Sequence, residues 1–381
     1  MLRITPLLLI VPLLLSCQQP PKGKGAGEVL TTPDSAAAFR VETVTGKLEV
    51  PWDIVFAPDG RIFLTERPGR VRVIRNGTLD PAPYLTLADV ESKGESGLMG
   101  MTLHPRFATN GLFYLAYAYT NGDDLSVRVV RYHEQNNAPG ERKVIIEGIP
   151  AANFHAGCRL RFGPDGKLYI TTGEATEKEI AQQLNSLGGK VLRLNDDGSV
   201  PNDNPFVGQA NARPEIWSYG HRNPQGLDFQ PGTGALFLTE HAPSGNDGPG
   251  GGDEVNIVER GANYGWPTVH HEESAPGMVS PILLYTPAVA PASGMFYNGD
   301  LFPQLKGNFF FGCLKGEGII RVVLDGRRVV KQETLFKEEY GRIRAMAVGP
   351  DGAIYFTTSN RDGRGAPAPN DDRLMKLLPA K

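Results

Sequence analysis

His155, in the segment NFHAG, is the first side chain of this chain that could do chemistry. Neutral imidazole accepts a proton near pH 7, so a histidine between a polar and a glycine-containing stretch is a candidate general base. The plainer alternative is a structural histidine satisfied by its surroundings. Glu174 ends the run LYITTGE, and Glu66 and Glu240 end FLTE runs at equivalent places. Such glutamates can line a shared channel or bind neighbouring backbone. Residues 217–227, WSYGHRNPQGL, gather His221, Arg222, Asn223 and Gln225. A guanidinium beside an amide fits a planar polyanion or a quinone oxygen, and equally a loop clamped by side-chain hydrogen bonds.

Residues 241–264, HAPSGNDGPGGGDEVNIVERGANY, are acidic and glycine-rich. Calcium takes hard oxygen ligands from carboxylates and carbonyls in flexible loops, although the spacing is not that of an EF-hand. His270 and His271 adjoin, which is poor geometry for chelating a transition metal. Lys315 follows the strand-like FFFGCL, and Arg342 and Arg344 alternate in YGRIRAM, so they share one side of a strand. Three cations so placed imply an anionic ligand, with a solvated face as the alternative.

The elements that must position these groups repeat. Residues 52–66 read as strand, Pro-Asp-Gly turn and returning strand, followed by the third strand RVRVI. The unit recurs in residues 101–120, 160–174, 227–240, 294–314 and 346–359, each followed by a further strand, with turn prolines at 58, 105, 164, 231, 303 and 350. Six such units predict an all-β, six-bladed β-propeller of four-stranded antiparallel blades, because one small sheet cannot bury both faces and a closed ring of sheets can. A β-sandwich would not require the repeated turn. A short helix is expected within EIAQQLNSLGG, ended by the two glycines.

The 46 glycines and 31 prolines agree with many strands joined by turns and argue against a helical protein. The net charge of −3, with both signs interspersed, gives no basic face for nucleic acid. Residues 1–16, MLRITPLLLIVPLLLS, read as a secretory signal, and Cys17 after Leu-Leu-Ser resembles a lipoprotein cleavage box. Residues 17–38 read as a flexible tether and 39–381 as the propeller. The expected location is the periplasmic side of the cell envelope, with a lipid anchor at Cys17. Cys158 and Cys313 can form one bridge or stay as two buried thiols.

The motifs FHAGCRLRFGPDGKLYITTGE, SLGGKVLRLNDDGSVPNDNPF, YGHRNPQGL and GDEVNIVERGANYGWP, with the late cations, resemble the soluble pyrroloquinoline quinone (PQQ)-dependent glucose/sorbosone dehydrogenases, and among them the bacterial aldose sugar dehydrogenases. The resemblance spans about residues 45–378. It implies a propeller with PQQ and Ca²⁺ in its wide mouth and oxidation of an aldose at C1 to the lactone. By position, it makes His155 the base, with hydride passing to C5 of the quinone and Glu174 orienting the histidine. It sets Arg222 and Asn223 against the cofactor, and Lys315, Arg342 and Arg344 on its carboxylates and quinone oxygens. The carbonyls of Ala242 and Pro243 match ligands of the cofactor calcium, and Glu254 and Tyr264 match a second, structural calcium.

Three positions depart from the glucose dehydrogenases of that family. Glu95, a further cofactor-pocket position, stands where they have glutamine, Glu174 where they have aspartate, and His241-Ala242 where they have Gln-Gly. The first two bear on sugar preference, and the third keeps its carbonyls. Short inserts suggest a monomer. Reduced cofactor would pass its electrons to an external acceptor, a quinone or a cytochrome. Two other classes are a calcium-dependent lactonase or esterase and a non-catalytic binding propeller, neither of which needs the three late cations.

Overall fold

A computed structural model describes residues 39–380, in which six antiparallel sheets form a six-bladed β-propeller. The signal, the Cys17 anchor and the tether fall outside the described residues. Blade 1 is built on Pro51–Phe56, Ile62–Glu66 and Arg70–Arg75, with two short outer strands, Thr78–Leu79 and Leu85–Thr86. Blades 2 to 5 each take four consecutive strands, starting with Leu98–Leu103, Leu160–Phe162, Asn223–Phe229 and Pro291–Phe296. Blade 6 takes Ile343–Val348, Ile354–Thr358 and Leu374–Pro379, and its outer strand is Phe39–Thr45 from the beginning of the described chain. Phe39 pairs with Pro379 and Thr43 with Met375, so one sheet joins both ends and closes the ring. The first strands of successive blades pack side by side around the axis.

The repeated turn has a local cause. In blades 1, 3 and 6 the Asp59, Asp165 and Asp351 side chains accept the backbone N–H two residues on, at 3.0–3.2 Å. The following Gly60, Gly166 and Gly352 take φ of 72–88°, which glycine adopts without steric cost. The threonine that recurs in the second strand fastens blade to blade. Thr65, Thr171, Thr239 and Thr357 donate to carbonyls of the next blade's inner edge (Met99, Pro224, Ala292 and Pro51) at 2.6–3.3 Å. The faces between blades are apolar, as where Phe237 of blade 4 packs on Phe296 and Phe309 of blade 5 with ring centroids 4.9–5.4 Å apart.

One expectation changes in detail, and of the two alternatives for the cysteines one holds. The helix expected in residues 179–189 is a single 3-10 turn, Lys178–Ala181. The chain leaves it because Lys190, buried behind it, donates to the carbonyls of Ile180, Ala181 and Gly188 at 2.6–3.0 Å and gathers them onto one ammonium. Cys158 and Cys313 are separate buried thiols, and burial pushes both well above the ordinary thiol range. Among the described residues no helix is long and apolar enough to cross a membrane.

Candidate active site

In an antiparallel blade the start of the first strand and the end of the second lie at the same edge. All six blades bring such edges to one mouth, where they surround a cavity of about 820 Å³. Blade 1 supplies Arg67, blade 2 Glu95, blade 3 His155 and Glu174, and blade 4 Arg222 and the 241–247 loop. Blade 5 supplies Lys315, and blade 6 supplies Arg342, Arg344 and Asp362.

His155 sits in the left-handed region at φ 57°, a conformation that costs a non-glycine residue of order 1 kcal/mol or more. Its carbonyl accepts the Ala175 N–H at 3.0 Å, and it lies so close to Gly173 that a Cβ there would come within 1.9 Å of it. The glycine of ITTGE is therefore what admits the histidine loop. Nδ1 of His155 lies 2.9 Å from both carboxylate oxygens of Glu174. A carboxylate only accepts, so Nδ1 carries the proton and Nε2 keeps its lone pair in the pocket wall. Glu174 is buried and its own N–H donates to the Arg222 carbonyl at 2.9 Å.

Arg222 is 2 % exposed and holds the neighbouring loop. Its guanidinium donates to Asp247 (2.7 Å), the His241 carbonyl (3.1 Å) and Ser244 Oγ (3.1 Å). Glu240 accepts from the Arg222 amide and lies 2.8 Å from His221 Nδ1, so His221 and Glu240 are supports beneath the site. Glu66 likewise forms ion pairs with Arg70 and Arg72 inside blade 1. Of the three strand-end glutamates, Glu174 alone lines the cavity.

The carbonyl-bearing residues Ala242 and Pro243 form part of the wall. Asp253 fixes them, accepting from the N–H of Ala242 at 3.0 Å and from those of Val289 and Ala290 at 2.8 and 2.6 Å. Asp247 adds a carboxylate, whose oxygen lies within 4.8 Å of ligand atoms of His155 and Glu174. Burial pushes the His241 imidazole down to about 4, against the fields of Asp253 and Glu95, so the ring is neutral. On the opposite wall Asp362 accepts from Arg342 at 2.8 Å and from Arg344 at 3.4 Å. Burial opposes the Asp362 charge, but the two arginines hold it below the usual carboxylate range. Burial in turn lowers Arg344 to about 10.

Three residues that the resemblance set against the cofactor or a calcium ion lie off the cavity wall. Asn223 lies below the histidine loop, its Oδ1 accepting from Gly157 N–H (3.3 Å) and Gln225 Nε2 (2.9 Å), while its buried Nδ2 has no partner among the described residues. Glu254 faces Glu240 across the blade 4 strands and accepts from Asn256 Nδ2 at 2.8 Å. Burial first, and Glu240 second, push it up to about 8. Tyr264 stacks on His221 at 4.7 Å, donates its hydroxyl to the Ile257 carbonyl at 2.6 Å and its N–H to the Tyr219 carbonyl at 2.9 Å, which leaves its own carbonyl for any ligand role. Arg67, Asp247, Asp253, Asp362 and Arg364 were not legible as site residues. Asp247 and Asp253 stand in the acidic stretch noticed for calcium, and the others carry no local signal.

Residues 48–374 match the glucose/sorbosone dehydrogenase family. The chain belongs to that family. It is accordingly an enzyme, an oxidoreductase of the PQQ-dependent sugar dehydrogenase type. The aldose sugar dehydrogenase YliI of Escherichia coli (strain K12) is 34% identical over 346 residues, which cover 86% of this chain and 92% of that protein. The apo form of the soluble aldose sugar dehydrogenase from Escherichia coli superposes with a TM-score of 0.82 at 32% identity, covering 90% of this chain and 100% of that one. The PQQ-bound aldose sugar dehydrogenase from Streptomyces coelicolor gives a TM-score of 0.78 at 30% identity, covering 90% and 98%.

Proposed function

We propose that the chain oxidises aldoses at C1 to the lactone, using PQQ and calcium in the propeller mouth. The observation that carries this is His155, held by Glu174 with Nε2 free, in a pocket whose opposite wall is lined by Lys315, Arg342 and Arg344. A lactonase or a plain binding module would have no use for that wall of cations.

The residues present fit both groups. Among the described residues Lys315, on the cavity wall, has no side-chain partner, so a donor stands ready for an anionic, carbonyl-rich cofactor. Lys315, Arg342 and Arg344 would hold PQQ, which when bound supplies the two-electron acceptor for the hydride of sugar C1. The carbonyls of Ala242 and Pro243, beside the Asp247 carboxylate, make an oxygen-rich wall suited to calcium, which would supply Lewis-acid polarisation there. A second cation would sit at Glu254, beside the buried, unpartnered Oδ1 of Asn256, and the resemblance adds Tyr264 to that site.

His155 Nε2 takes the proton of the C1 hydroxyl. Glu174, bonded to Nδ1, keeps the ring in the accepting tautomer and stabilises the imidazolium that results. Arg222 keeps the 241–247 loop in place and presents positive charge to the reacting end of the pocket. Glu95, held by Arg364 at 2.7 Å, offers an acceptor for sugar hydroxyls.

The reading extends to location. The N-terminal signal and Cys17 support an exported protein, lipid-anchored on the periplasmic side through the 17–38 tether, that works as a monomer and passes electrons to an external quinone or cytochrome. The decisive experiment titrates apoprotein with PQQ, with and without Ca²⁺, and follows the quinone absorbance on adding glucose. Oxidation should require both additions. His155→Ala should still bind PQQ and lose about two orders of magnitude or more in kcat; full turnover in that variant would remove His155 as the base. Lactone hydrolysis without PQQ would overturn the proposal itself.

A further inference from the structure

The carboxylates of the pocket wall are all engaged within the protein. Glu95 pairs with Arg364, Glu174 with His155, Asp247 with Arg222 and Asp362 with Arg342, and Asp253 takes three backbone amides. The cations are not all engaged. Arg67 stands at the mouth just beyond the second strand of blade 1, and among the described residues its guanidinium has no hydrogen-bond or ion-pair partner.

Its position is fixed by the backbone. The Arg67 N–H donates to the Val50 carbonyl at 3.2 Å, its carbonyl accepts from Leu98 N–H at 2.9 Å, and its stem lies on Gly97, where a Cβ would come 2.6 Å from Arg67 Cγ. Two residues before Gly97, the Glu95 N–H donates to the Asn153 carbonyl at 2.7 Å, which ties this edge to the segment carrying His155. Arg67 therefore stands between Glu95, on the base side of the cavity, and Asp362 and Arg344 of blade 6. It is half-buried, and desolvation holds it below the ordinary arginine range despite the fields of Asp362 and Glu95. A guanidinium drawn out of water beside the like charge of Arg344, with every nearby carboxylate already engaged, is a planar two-toothed donor without an acceptor.

We propose that Arg67 receives an anionic group of the substrate, so that the site takes aldoses bearing a carboxylate, the aldohexuronic acids, as well as neutral sugars. This rests on the reading of the site as an aldose dehydrogenase. The C1 chemistry is unchanged; the carboxylate at the other end of the sugar is recognised and does not react.

The test compares D-glucuronate with D-glucose on the PQQ- and Ca²⁺-loaded enzyme and its Arg67→Gln and Arg67→Lys variants, with PQQ titration of each apoprotein beside it. Wild type should turn over both sugars. In Arg67→Gln the ratio of kcat/KM for glucuronate to that for glucose should fall about tenfold, the loss of one charge-assisted contact. Arg67→Lys, which keeps the charge and loses the fork, should fall between. PQQ affinity should stay within about twofold, by the same reckoning that places the contact on the substrate. A ratio unmoved by Arg67→Gln, or a wild type that oxidises glucose but not glucuronate, overturns this inference alone. Weakened PQQ binding with an unmoved ratio overturns it too and assigns Arg67 to a cofactor carboxylate. A wild type that oxidises no aldose fails the parent reading and this one together.

Discussion

Replacing Glu174 with glutamine separates charge from shape at the catalytic pair. Glutamine keeps the length of the side chain and one oxygen that can accept from His155 Nδ1, where glutamate now offers two at 2.9 Å. A hydrogen bond to a charged group contributes about 1.5–3 kcal/mol and a neutral one about 0.5–1.5. The difference, about 1–1.5 kcal/mol, applies most when His155 becomes a cation, that is, in the transition state. At about 1.4 kcal/mol per decade, kcat should fall roughly tenfold. Glu174→Ala removes the whole bond and leaves His155 in its left-handed conformation without an anchor, so about 100-fold is expected, the upper part of the same range. Steady-state rates with an artificial acceptor at saturating sugar measure this, beside PQQ titration to establish that the pocket is intact. Because the charge acts on the base, KM for the sugar should move less than kcat. A Glu174→Gln enzyme with unreduced kcat would refute the argument, as would a loss confined to PQQ affinity.

Two further outcomes concern the scaffold. Thr239→Val removes one blade-to-blade hydrogen bond at nearly constant volume and should cost about 1 kcal/mol, and Thr171→Val, whose hydroxyl also accepts from the buried Arg159 N–H at 2.8 Å, should cost about 2 kcal/mol. The two lie in different blades, so a double variant measured by urea unfolding should show near-additive losses. The pH dependence carries a distinct sign. Burial raises Asp372 from 3.8 to about 6, so the folded state binds this proton more tightly than the unfolded chain does. Its contribution is present below pH 3.8 and lost as pH rises to about 6, for a total of about 3 kcal/mol. The carboxylates that are lowered, such as Asp362, act in the opposite direction and below pH 3.8. Thermal melts between pH 4 and 6 should therefore show wild type losing stability as pH rises and Asp372→Asn lacking that fall, and equal slopes in the two would exclude this group.

How much could be read from the chain depends on how local the physics is. The Pro-Asp-Gly turns are local, since aspartate accepts from an amide two residues away and glycine takes the positive φ, so the six units are visible without a structure. The recurring threonine is visible too, but its purpose lies in the next blade and is not. Phe39–Thr45 follows no repeat and finds its partner strand more than 300 residues later, so the sequence marks the edge of the ordered part without revealing that it completes blade 6. His155 was a candidate by its chemistry, and its partnership with Glu174 came with the family resemblance rather than from spacing. The counter-ions were not. Asp247 and Asp362 matter because they face Arg222 and Arg342, and such pairings across a ring leave no trace in spacing. Asn223, set against the cofactor by the resemblance, turns its amide oxygen to Gly157 N–H and Gln225 Nε2 below the histidine loop, a partnership that its place beside Arg222 in the chain does not reveal.

The closure of blade 6 has a topological corollary. Because Phe39 and Pro379 are paired across one sheet, the described chain is very nearly a circle interrupted at an outer strand, far from the mouth in every blade's strand order. A short loop joining those two residues, with a new break at the exposed Asn136-Asn137 hairpin of blade 2, would preserve every strand and every neighbour while moving the seam to another outer edge. In that sense the order in which the blades are written along the polypeptide is arbitrary, and the order in which they surround the axis is what the site requires.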